Sequence, residues 1–85
     1  MAERELTITY PDELLMSLKK SPEEFAAMAP LYLAVKLYEL GRVSTGMAAR
    51  LANMSRVAFM FELAHFGLSP FGSDSDELVE DLSNA

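Results

Sequence analysis

The stretch Gly41–Leu68, GRVSTGMAARLANMSRVAFMFELAHFGL, decides the fold of this chain. Its punctuation is that of a helix-turn-helix. Ser44 stands where its hydroxyl caps a first helix over Thr45–Ala52, Asn53 and Met54 make a tight turn, and Ser55 caps a second helix. That second helix runs to about Phe66, and Gly67 stops it. A Ser at the cap lends its oxygen to backbone N–H groups that the first helical turn leaves without partners. Asn, like Gly, accepts the left-handed conformation that ends a helix abruptly. Ala49 is small enough for two helices to approach, and Leu51, Met54, Phe59 and Leu63 are placed to fill the angle between them.

Working back towards the N-terminus, Ser21-Pro22-Glu23-Glu24 is the clearest helix start. Ser21 with Glu24 three residues on is a capping box, and Pro22 occupies a position whose N–H has no helical acceptor. This helix should reach Leu40, with Gly41 as its stop, and Pro30 inside it predicts a kink near Ala26–Met28. Its apolar residues, among them Phe25, Met28, Leu31, Leu33, Val35 and Leu37, cover more than one face. A helix of that kind is expected to be central and buried on several sides. Before it, Asp12–Lys20 reads as a short helix with Leu14, Leu15 and Leu18 on one side.

At the very start, Glu5–Tyr10 alternates, with Leu6, Ile8 and Tyr10 on one side. Period-two alternation rich in β-branched residues predicts a strand. No second strand follows, so the pattern predicts pairing with the same strand of a second subunit through Leu6, Ile8 and Tyr10; the alternative is an arm packed on the helices. The expected class is therefore mainly α: an N-terminal β-strand followed by helices that include a helix-turn-helix over residues 44–67. Residues 1–71 make one domain and residues 72–85 an acidic tail. That tail, SDELVEDLSNA after Asp74, has Leu78, Val79 and Leu82 as an apolar edge. Alone it is a frayed terminus; on a partner it is a segment that folds.

Composition narrows the function classes. At 85 residues with 51% apolar side chains, the chain has more apolar surface than so small a core absorbs, which points to a homodimer or another protein partner. It has no cysteine, its first ten residues are charged where a signal peptide needs an apolar core, and its longest apolar run, Ala26–Val35, is broken by Pro30. A soluble cytoplasmic protein with no membrane span is expected. His65 is the one histidine, which rules out histidine metal clusters and His-based relays within the chain. The acids of the tail lack the spacing and turn glycine of a calcium loop. No phosphate-cradling glycine loop is present. Neither an enzyme nor a cofactor is expected.

The formal charge of −6 is uneven. Gly41–Phe61 contains Arg42, Arg50 and Arg56 and no acid, whereas Gly72–Ala85 contains Asp74, Asp76, Glu77, Glu80 and Asp81 and no base. A locally positive helix-turn-helix fits phosphate contact, and Arg42, Thr45, Arg50, Ser55 and Arg56 are the candidate DNA-binding residues. With Phe59 and Leu63 facing inward, however, Val57, Phe61 and His65 share the outer face of the second helix. Val57 and Phe61 suit a protein interface better than base edges. Candidate partner-binding residues are thus Val57 and Phe61, together with Asp74, Asp76, Glu77, Leu78 and Leu82 of the tail.

Three blocks carry a family resemblance: LTITYPDELL, the SPEEF cap, and LYLAVKLYELGRVSTGMAARLANMSRVAFMFELAHFGL followed by an acidic tail. Together they resemble the small prokaryotic uncharacterised protein family 0175 over nearly the whole chain. The match is densest in AVKLYELGRVSTGMAARLANMSRVAF, where Thr45, Gly46, Ala48, Ala49, Met54, Ser55 and Phe59 follow the family pattern. Val57, Ala58 and Phe66 depart from it, standing where aromatic, acidic and basic residues are usual, and leave a more apolar face. The resemblance implies an antitoxin that binds and neutralises a PIN-type ribonuclease toxin encoded beside it, with autoregulation of the operon by DNA binding. The other expectations are a stand-alone helix-turn-helix transcriptional regulator and a protein-interaction module with no DNA role.

Overall fold

The computed structural model describes residues 2–69, and the acidic tail lies outside the described residues. Four helices follow in order: α1 (Glu13–Leu18), α2 (Pro22–Glu39), α3 (Thr45–Leu51) and α4 (Arg56–His65). Packing runs α2 on α3 and α3 on α4. One small core results. Ala34, Val35 and Tyr38 enter it from α2, Thr45, Ala48 and Ala49 from α3, and Phe59 and Leu63 from α4. Alanines at 48 and 49 let the α3 backbone come close, and the Tyr38 and Phe59 rings meet edge to face at 6.2 Å. Full burial of Phe59 and Leu63 contributes roughly 1.5–3 kcal/mol each.

The helix starts are set by serine. Ser21 Oγ accepts from the Glu24 N–H at 3.1 Å while Glu24 Oε1 accepts from the Ser21 N–H at 2.8 Å, a complete capping box. Ser44 and Ser55 accept from Met47 and Ala58 N–H at 3.2 and 3.1 Å. The capping box at Ser21 holds the Glu24 carboxyl below the usual glutamate range: the bond from the Ser21 N–H is the largest cause and the Ser21 hydroxyl the next. The depressed value makes the carboxylate's contribution full above the ordinary glutamate value of 4.5. It is lost as pH falls through the lower folded value. Urea titration should show Ser21→Ala costing about 1 kcal/mol at neutral pH. The penalty of Glu24→Ala should shrink as the same titration is taken into acid.

The helix ends share one geometry. After α2 the Gly41 N–H bonds the Tyr38 carbonyl and the Arg42 N–H the Leu37 carbonyl, both at 2.9 Å, with Gly41 at φ +73°. The same pair of bonds closes α4 at Gly67 (φ +76°) and α3 at Asn53 (φ +59°). It closes α1 at Lys19 (φ +57°), which bonds Met16 while Lys20 bonds Leu15. This is the Schellman closure, which satisfies carbonyls the helix would otherwise leave open. Lysine in a left-handed conformation is unusual, because its Cβ crowds the backbone.

Two expectations need correction. Residues 2–11 form no strand, and no strand occurs among the described residues. A strand needs a neighbour to take its N–H and C=O groups, and the described residues of this chain supply none. The period-two pattern instead marks an arm: Tyr10 stacks edge-on against Phe25 with centroids 4.7 Å apart, while Leu6 and Ile8 stay exposed. The fold is therefore helical without the β-strand that Leu6, Ile8 and Tyr10 were expected to pair across a dimer. Likewise, α2 is not buried all round. It passes through Pro30 as one helix, buries Ala34, Val35 and Tyr38, and leaves Tyr32, Leu33 and Leu40 exposed. The core covers one side of it, and the arm lies along another without covering it fully.

Candidate functional site

The sequence-predicted DNA residues divide in the structure. Thr45, the first residue of α3, is 1% exposed and belongs to the core. Arg42 and Arg50 are exposed, the first in the link between α2 and α3 and the second in the last turn of α3. Ser55 is exposed with one lone pair taken by the Ala58 N–H, and Arg56 opens α4 half-buried. Arg50 and Arg56 thus flank the turn between the two helices. Arg50 sits favourably at the negative end of the α3 dipole, and Arg56 stands at the positive end of α4. Such a set can hold phosphates. It offers no bidentate pair to a base edge from the outer face of α4.

That outer face is apolar. Val57 is 62% exposed and Phe61 67%, one turn apart on α4, while Phe59 and Leu63 on the opposite side are fully buried. His65 continues the outer row, its Nδ1 3.8 Å from Glu62 Oε1, too far for a direct hydrogen bond. An exposed aromatic beside an exposed β-branched residue is an anchor for a protein partner.

A third feature lies around the arm, and sequence reading missed it. Leu6, Ile8 and Tyr10 form one wall of a groove of about 400 Å³, with Phe25, Pro30 and Leu33 of α2 opposite. Leu51, expected between α3 and α4, instead opens towards this groove and is 40% exposed. The surplus apolar residues of α2 were the one available signal. Candidates Asp74, Asp76, Glu77, Leu78 and Leu82 lie outside the described residues.

Among the described residues, no three His, Cys, Asp or Glu side chains gather as metal ligands, and no helix is long and apolar enough to cross a membrane. The sequence is similar to a UPF0175 protein of Aeropyrum pernix, 34% identical over 82 residues, covering 96% of this chain and 86% of that relative. No solved structure matches significantly. Residues 1–85 match the profile described as "Uncharacterised protein family (UPF0175)". With its family pattern continuous from the arm through the two capped helices to the tail, the chain belongs to UPF0175.

Proposed function

We propose that this chain is the antitoxin of a toxin–antitoxin pair, a cytoplasmic homodimer that binds and neutralises a PIN-type ribonuclease. The observation that carries the reading is the exposed Val57–Phe61 row on α4 beside the basic turn. It combines an anchor for a protein with cations for nucleic acid on one helix-turn-helix. The acidic segment Asp74–Leu82 supplies a second contact, suited to the basic groove of an enzyme that holds RNA. Autoregulation is the secondary role, through phosphate contacts from Arg42, Arg50 and Arg56, and is favoured by the absence of any acid between Gly41 and Phe61.

Co-expression with the PIN-domain product of an adjacent gene tests the reading. The wild-type chain should co-purify with that protein and suppress its cleavage of RNA. Phe61→Arg should keep its helical circular dichroism, since the side chain is exposed, and lose inhibition at least tenfold. Deleting residues 73–85 should weaken binding as well. Undiminished ribonuclease activity with the wild-type chain present would exclude the antitoxin role. A regulator or a plain interaction module would then remain.

A further inference from the structure

The groove beside the arm has no use in the proposed function, and its chemistry is specific. Among the described residues that line it, Arg4 is the sole charged one; the rest are apolar or aromatic. It contains the turn of α2 that spans Ala26 and Pro30. An occupant should therefore bring apolar side chains and a carboxylate.

One segment of this chain answers that description. Residues 77–82, ELVEDL, carry Leu78, Val79 and Leu82 among Glu77, Glu80 and Asp81, and no base occurs from Gly72 onward. Reach also fits. Phe66 stacks on Tyr32 at 5.0 Å just before the described residues end at Ser69. Tyr10, at the groove, stacks in the same way on Phe25. Phe25 and Tyr32 are two helical turns apart on one side of α2, about 10 Å along its axis. Seven intervening residues, 70–76, span up to about 24 Å when extended.

We propose that the groove is the docking site of the chain's own C-terminal segment, residues 77–82, with its leucines and valine against Phe25, Leu33 and Leu51 and a carboxylate on Arg4. The docking needs no toxin, but it uses residues that the antitoxin reading gives to the toxin, so the groove and the toxin are alternative seats for this segment.

The chain has no cysteine, so an engineered pair reports without background. The full chain carrying Leu33→Cys and Val79→Cys is oxidised in air at low micromolar concentration, beside a control carrying Phe61→Cys and Val79→Cys. Phe61 is exposed and nearer in sequence, so undirected collisions favour the control. The expected result is a within-chain disulfide formed at least tenfold faster in the Leu33 pair. Adding Arg4→Glu should slow it severalfold. Equal rates in the two pairs, a disulfide that links two chains instead, or indifference to Arg4→Glu would overturn the proposal.

Discussion

Leu63→Ala should lower the free energy of unfolding by about 3 kcal/mol, and Phe59→Ala by about 4 kcal/mol. Both side chains are fully buried, and they are the largest fully buried ones among the described residues. A chain of this length holds only about 4–13 kcal/mol in total, so either change removes a large share. Thermal unfolding followed by circular dichroism should show Leu63→Ala melting about 15 °C below the wild type. Phe61→Ala, two residues away on the outer face, should shift it by no more than about 0.5 kcal/mol. A Leu63→Ala midpoint within a few degrees of the wild type would mean that the core is elsewhere.

The second large effect concerns nucleic acid. If the chain represses its own operon, the double change Arg42→Glu and Arg50→Glu should weaken binding to its upstream DNA about 100-fold at low salt. Each arginine lost from a phosphate removes about 0.9 from the slope of log affinity against log salt, so the slope should flatten by about 2. Fluorescence anisotropy at two salt concentrations reads both quantities. Both arginines are exposed and neither belongs to the core, so the fold should survive. No binding by the wild-type chain at low salt would make the helix-turn-helix a scaffold for proteins alone. Thr45 is left out of the test because its burial makes any substitution a stability experiment.

Much of the helical layout is legible because local chemistry sets it. Ser21, Ser44 and Ser55 announce starts, and Gly41, Asn53 and Gly67 announce stops, each by groups within a few residues in sequence. Lys19 does not announce the end of α1, since nothing about lysine favours a left-handed conformation. The candidate site is less legible. The outward row of Val57 and Phe61 follows from helical period once Phe59 and Leu63 are taken as core. Thr45 does not, because a polar residue just inside a helix start looks like surface until α2 is laid against it. The arm misleads for a related reason: alternation says which side chains share a face and is silent on whether a neighbouring backbone exists. Leu51 and the groove depend on where that arm lies, which no local pattern contains.

The shared manner in which the four helices close has a kinetic consequence. Every stop is made by bonds that reach back no more than five residues, so each helix can set its own end before any distant contact forms. Topologies dominated by such short-range contacts fold in microseconds to milliseconds. The slow search is confined to bringing α2, α3 and α4 together around Phe59 and Leu63. The arm and α1, which bury nothing fully, lie outside that event. Amide exchange should therefore separate two populations: α1 protons that exchange through brief local openings, and protons of the three core helices that wait for the whole molecule to unfold.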